Sequence, residues 1–148
     1  MADIAAFRRI VESASYHRLI GLTLAEADTE KGVAVVKLPY RPELAIFAEA
    51  GGWHGGVIAA LIDVAGAAAC GLSLGRPTPT VNFRVDYLRS PVRVDLTATG
   101  RVVRSGRSIA VADVEVSDDT GEVYAVGRGT FSVASAGSAV ARGAEAAR

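Results

Sequence analysis

The sequence predicts an α+β domain in which one curved antiparallel sheet wraps around one long central helix. The chain has 148 residues, half of them hydrophobic, which is enough for one domain with its own core. Residues 57–74 are apolar on nearly every side, a pattern that predicts a helix buried within protein. The remaining segments are β-type and closely spaced, which favours antiparallel neighbours because parallel crossovers need a dozen or more residues. A sheet is therefore the natural cover for the helix.

The first half of the chain predicts one helix and two strands before the long helix. A helix is expected over residues 3–18, with Asp3 as its cap, because apolar residues recur at helical spacing. Those residues are Ile4, Phe7, Ile10, Val11 and Ala14. Strands follow at 19–28 and 32–38, joined by a turn at 29–31. A loop that ends in several glycines then leads to the long helix.

The second half predicts four strands after the Gly-Arg-Pro punctuation at residues 75–77, which ends the helix. These strands are expected at 80–88, 94–104, 108–117 and 123–133. The domain is thus assigned to residues 1–133. Residues 134–148 are small, polar and without a pattern, and we expect them to form a disordered tail.

Charge and composition exclude several classes of protein. The 16 basic residues balance the 16 acidic ones, so nothing marks a nucleic-acid-binding surface. The chain has one cysteine, which excludes a disulfide framework. It has two histidines, so we do not expect a metal site built from several histidines. The first fifteen residues place acids before arginines and contain no long apolar run, unlike a signal peptide.

The apolar segment at 57–74 approaches the length of a membrane span. Asp63 lies in its middle, and a central Asp costs about 2.5–3.5 kcal/mol on insertion scales. We therefore expect a buried helix, no membrane partner and a soluble, cytoplasmic protein.

Asp63 is the first residue that suggests chemistry. On a helix its neighbours three and four residues away are all small, which leaves room for a ligand or a second chain. These neighbours are Ala59, Ala60, Gly66 and Ala67, whereas Ile58, Leu61, Ile62 and Ala65 are expected in the core. A carboxylate in such surroundings needs a partner. Two interpretations stay open: a structural bond to a nearby strand or loop, and a functional acid.

Glycines at residues 51, 52, 55 and 56 enter this helix around Trp53 and His54. Glycine lets a ligand approach the backbone closely, and the helix dipole adds positive potential at its first N–H groups. Such a place suits a carbonyl oxygen that becomes an oxyanion. The alternative is a flexible turn into a helix.

The spacing of Gly55 and Asp63 predicts a site shared between subunits. With a helix that begins near Gly56, Asp63 lies roughly 10 Å further along at 1.5 Å per residue. A base or nucleophile and an oxyanion donor must both lie close to the same reacting carbonyl group, the donor within hydrogen-bonding range of its oxygen. An antiparallel helix from a second chain would bring its Asp63 to the Gly55 of the first.

The segment from His54 to Asp63, His-Gly-Gly followed by Leu-Ile-Asp, resembles the signature of hotdog-fold acyl-CoA thioesterases in the phenylacetate-degradation, or PaaI-like, branch. The resemblance continues through residues 85–91, 100–107 and 118–130, and it covers 19–133 in matching order. It implies a hotdog fold, dimers that pair into tetramers, and active sites between subunits.

The resemblance implies hydrolysis of an acyl- or aryl-CoA thioester, with coenzyme A as part of the substrate and no separate cofactor or metal. Asp63 would be the nucleophile or general base, and the Gly55 N–H of the facing subunit would polarise the carbonyl. His54 would lie beside the thioester and shape the loop, with Gly56 next to it. Thr80 occupies the place of a hydroxyl that helps to position the attacking water.

Two positions depart from the family pattern. Relatives commonly carry Asn or Gln six residues before the histidine, where this chain has Ala48. Glu49 beside it either substitutes or is a solvated loop acid. Some relatives carry a hydroxyl four residues after the acid, where this chain has Ala67. These changes bear on rate and substrate class more than on fold.

Coenzyme A phosphates need cationic contacts. The resemblance places Arg89, Ser90, Arg104, Arg107 and Ser108 near the edge that binds coenzyme A. For each arginine the alternative is a turn residue that keeps the sheet soluble. Trp53 either lines the acyl pocket or packs as a plug.

Two other functions compete with thioester hydrolysis. Hydration or dehydration of acyl thioesters on the same fold uses an Asp followed five residues later by His, and this chain has Ala68 there. A non-catalytic acyl-CoA-binding oligomer is favoured by the missing amide at Ala48 and opposed by the presence of Asp63.

Overall fold

The computed structural model describes residues 3–134. Two short helices open the chain, one long helix lies in its middle, and six strands form the sheet. The helices are α1 (Ile4–Ser13), α2 (Ser15–Ile20) and α3 (Gly55–Leu72), with a short 3₁₀ helix at Pro42–Leu44. The strands are β1 (Thr23–Asp28), β2 (Val33–Leu38), β3 (Thr80–Tyr87), β4 (Leu96–Ser105), β5 (Ile109–Ser117) and β6 (Val123–Ser132).

The six strands form one sheet in the order β1-β2-β4-β5-β6-β3, and every neighbouring pair is antiparallel. Helix α3 packs against this sheet, so the predicted architecture is confirmed. Strand β3 closes one end of the order, and no other strand among residues 3–134 pairs with its outer edge. This edge matters for the site because β3 also contacts α3.

The core side of α3 is the one expected from its spacing. Ile58, Leu61, Ile62 and Ala65 are each at most 2% exposed. The helix lies very close to the sheet: a Cβ added to Gly100 of β4 would lie 2.3 Å from the Ala65 carbonyl oxygen. Only glycine allows that approach.

By length and composition alone, α3 also satisfies the test for a membrane span, with 18 residues and a mean hydropathy of 1.8. However, 61% of the segment is buried inside the fold. The core helix of a soluble domain has the same properties, and the packing of α3 on the sheet accounts for its composition.

The N-terminal prediction needs correction. The single helix expected over 3–18 is two helices, because Ala14 is extended (φ −58°, ψ 131°) and separates α1 from α2. Asp3 caps α1 as expected, accepting from the Ala6 N–H at 3.0 Å. The strand expected at 19–28 begins only at Thr23, because α2 continues to Ile20 and ends at Gly21 in the left-handed conformation (φ 81°).

The remaining strands and α3 agree with their expected bounds to within about two residues at each end, which is the usual uncertainty of element boundaries. The tail expected from residue 134 onward lies outside the described residues, apart from Ala134.

Candidate active site

His54 and Gly55 form the start of α3. His54 is the N-cap, and its ring Nδ1 accepts a hydrogen bond from the Gly56 N–H at 2.9 Å. The neutral ring therefore carries its proton on Nε2. Gly55 is the first helical residue, and within residues 3–134 its N–H has no hydrogen-bond acceptor. An available donor thus lies at the positive end of the helix dipole.

Asp63 lies eight residues further along α3, or roughly 12 Å at 1.5 Å per residue. Its side chain is half-buried, and its Oδ1 accepts a hydrogen bond from the Thr80 Oγ1 at 2.6 Å. Thr80 is the first residue of β3, so the edge strand holds the carboxylate. The structure brings Asp63 and Thr80 together and leaves Gly55 of the same chain about two helical turns away.

The loop before α3 carries Ala48 and Glu49. Its base is closed by a bridge between Ala45 and Trp53, while Ala48 and Glu49 lie exposed at its tip. The Glu49 carbonyl accepts a hydrogen bond from the guanidinium of Arg93. Arg93 thus holds the backbone of the loop next to Ala48.

Trp53 belongs to the core. It is 4% exposed, its Nε1 donates to the Val94 carbonyl at 2.9 Å, and its ring meets Tyr40 edge to face with centroids 5.7 Å apart. Of the two roles that the sequence leaves open for Trp53, packing describes its position in the single chain.

The five residues expected to bind coenzyme A fall into two groups at opposite ends of β3. Arg89 and Ser90 follow β3, and Arg89 pairs with Glu122. Arg104, Arg107 and Ser108 surround the β4–β5 turn and are exposed. That turn lies at the Thr80 end of β3, because the Val133 N–H donates to the Ser108 carbonyl and the Ser132 N–H to that of Pro79.

Tyr87 forms a contact with Gly55 that the sequence does not reveal. Its hydroxyl donates to the Gly55 carbonyl at 2.7 Å, across 32 positions of the chain. The sequence places Tyr87 only within the strand expected at residues 80–88. No local pattern could have found the contact, because it depends on how β3 crosses α3.

The remaining titratable candidates contribute no further site. Within the described chain no group of three His, Cys, Asp or Glu side chains is arranged to hold a metal ion. Cys70 is buried, and burial raises the pKa of its thiol to about 11, so it behaves as a small hydrophobic residue.

The sequence profile of the Thioesterase superfamily matches residues 50–125, which include His54, Gly55, Asp63 and Thr80. The chain belongs to the thioesterase superfamily. The thioesterase superfamily and the hotdog architecture expected from the sequence are confirmed.

Relatives and solved structures agree with this assignment. The medium/long-chain acyl-CoA thioesterase YigI of Salmonella typhimurium is 31% identical over an alignment of 138 positions that covers 80% of this chain and 84% of that protein. A solved protein of the thioesterase superfamily is 35% identical with a TM-score of 0.81, covering 87% of this chain and 96% of the other. Escherichia coli PaaI shares the fold: its TM-score is 0.77 at 24% identity, covering 89% and 95% of the two chains.

Proposed function

We propose that this protein hydrolyses acyl-CoA thioesters at a site shared by two subunits. Asp63 of one subunit activates water or attacks the thioester carbonyl, and the Gly55 N–H of the partner subunit binds the oxygen that becomes negative. The observation that carries the proposal is the pair of groups on α3: a carboxylate oriented by the Thr80 hydroxyl and an unpaired N–H at the helix start.

The free edge of β3 supports a shared site. If β3 pairs with its own copy in the antiparallel direction, a two-fold axis brings the Thr80 end of one subunit to the Tyr87 end of the other. Asp63 is tied to the Thr80 end and Gly55 to the Tyr87 end of this strand. Each of the two resulting sites then contains the acid of one chain and the donor of the other.

The same pairing joins the two groups of candidate coenzyme A contacts. Arg104, Arg107 and Ser108 lie at the first end of β3, and Arg89 and Ser90 at the second, so each shared site receives one group from each chain. The guanidinium groups of Arg89, Arg104 and Arg107 suit the nucleotide phosphates of coenzyme A. The name of YigI favours an aliphatic acyl group of medium or long chain over an aryl group.

The contacts also assign roles within the site. Thr80 engages Oδ1 of Asp63, so the other carboxylate oxygen remains for water or the thioester. His54 uses Nδ1 to cap the helix, which suits a loop-shaping role better than that of a principal base. Ala48 provides no amide, and this favours a second candidate function, a non-catalytic acyl-CoA-binding oligomer.

The test is release of free thiol from a panel of short, medium, long and aromatic acyl-CoAs. Asp63→Asn should reduce kcat by about 10²-fold or more while the protein stays folded and binds coenzyme A. Asp119→Asn, an exposed turn carboxylate, is the matched control and should retain wild-type activity. Wild-type turnover in Asp63→Asn would refute the role of this acid. Acyl-CoA binding without turnover by the wild type would favour the binding oligomer.

The proposed role of the Gly55 N–H as the oxyanion donor is tested by the variant Gly55→Pro. Proline is tolerated at the first position of a helix, where it removes the N–H in question and adds a ring whose Cβ would be in ordinary contact with Tyr87. His54 already has the extended backbone that a residue before proline needs (φ −68°, ψ 129°). We expect a folded protein with kcat lowered about 10²–10³-fold. Gly55→Ala, which keeps the N–H, should lose much less, and equal losses in the two variants would exclude the N–H as the donor.

A further inference from the structure

We infer that Tyr87 is a positioning residue that holds Gly55 in the orientation needed for catalysis, an inference that rests on the proposed function. The Tyr87 hydroxyl donates to the Gly55 carbonyl at 2.7 Å. Its ring lies over the same residue: a Cβ added to Gly55 would be 3.5 Å from Cζ and 3.6 Å from Cε1 of Tyr87. The side chain thus contacts both the carbonyl and the α-carbon side of Gly55.

Gly55 needs such a restraint. Glycine has the most conformational freedom of any residue, and the first residue of a helix lacks an intrahelical bond to its N–H. An oxyanion donor is effective only when its direction is fixed before the charge develops. The two bonds hold the two ends of one peptide group: His54 accepts from the Gly56 N–H, and Tyr87 donates to the Gly55 carbonyl. Fixing this peptide restrains the Gly55 α-carbon, and through it the direction of the Gly55 N–H on the other side.

Strand β3 is a firm support for this contact. Tyr87 pairs with Ala125 of β6, and the N–H groups of Leu88 and Arg89 both donate to the Tyr124 carbonyl. At its other end the same strand orients Asp63 through Thr80. One strand therefore positions both chemical groups of α3, each through a side-chain hydroxyl.

The first test is Tyr87→Phe, which removes the hydroxyl and keeps the ring. We expect kcat to fall about tenfold, with KM for an acyl-CoA substrate unchanged within about twofold, because the hydroxyl bonds Gly55. Tyr124→Phe is the matched control: it also loses one hydroxyl bond, to Asp118 at 2.8 Å, and should leave kcat unchanged. Thermal unfolding of both variants is measured alongside.

The second test combines Tyr87→Phe with Gly55→Pro. If Tyr87 acts through the Gly55 N–H, its hydroxyl has nothing to position once that N–H is gone, and Tyr87→Phe should cause no further loss in this background. A full tenfold additional loss would overturn the inference. So would a wild-type kcat in Tyr87→Phe, an effect on KM alone, or a loss of activity that only reflects unfolding at the assay temperature.

The two levels of the proposal fail in different ways. A wild-type protein that hydrolyses no acyl-CoA overturns the proposed function and this inference with it. An active wild type that loses activity in Asp63→Asn but not in Tyr87→Phe overturns the inference alone.

Discussion

At the scale of single residues, Thr80 gives the sharpest prediction after Asp63 itself. Its hydroxyl donates to Asp63 Oδ1 at 2.6 Å, so Thr80→Val leaves the shape and removes the bond that orients the carboxylate. We expect kcat to fall about tenfold or more, since misorientation of a catalytic group is costly. Thr80→Ser retains the hydroxyl and should recover most of the activity. Equal rates for Val and Ser, measured by thiol release, would show that the bond is only structural.

The same residues show how far sequence alone reaches. Asp63, Gly55 and Thr80 could be singled out because their chemistry follows from residue type, helical spacing and family resemblance. The partnership of Tyr87 with Gly55 could not, because two segments 32 positions apart meet only once β3 lies along α3. Ala48 is the opposite case: the sequence shows the missing amide, and the structure adds that Arg93 holds the neighbouring backbone.

At the scale of elements, the β5–β6 turn depends on one carboxylate. Asp118 Oδ1 accepts from the Thr120 N–H, the Thr120 hydroxyl and the Glu122 N–H, and Oδ2 accepts from the Tyr124 hydroxyl at 2.8 Å. These bonds, those of Thr120 first, hold the pKa of Asp118 below its ordinary value of 3.8. The hydrogen bond between Tyr124 and Asp118 raises the pKa of Tyr124 to about 12.

A depressed carboxylate pKa stabilises the fold above the unfolded pKa, and that stabilisation disappears as the pH falls through the folded pKa. Asp118→Asn should therefore lower the melting temperature by several degrees at pH 7, with the difference from wild type shrinking below about pH 4. Asp119→Asn, one residue along, should track the wild type at each pH. Melting curves across this range are the measurement, and a pH-independent difference would contradict the assignment.

The helices and strands also show which element bounds hydrophobic periodicity predicts and which it misses. The apolar pattern of α3 and the turn signals between strands gave bounds close to those observed. The apolar residues at helical spacing end at Ala14, and nothing in that spacing reveals that residues 15–20 form a second, separate helix. The backbone of Ala14 leaves the helical conformation, and the Leu24 N–H then donates to the Glu12 carboxylate, a contact between α1 and β1 that spacing along the chain does not show.

At the scale of the whole molecule, the proposed sharing of the site between subunits predicts complementation between two inactive variants. In a mixed dimer of Asp63→Asn and Gly55→Pro chains, one site receives both substitutions and the other receives intact Asp63 and intact Gly55. Random exchange of equal amounts makes about half of the dimers mixed, so activity should rise to about a quarter of the wild-type value. If the acid and the donor of one chain served the same site, every site in the mixture would be defective and no activity would return. Unfolding and refolding the two variants together, with each refolded alone as the control, therefore decides whether the roughly 12 Å between these groups on α3 is bridged by a second subunit.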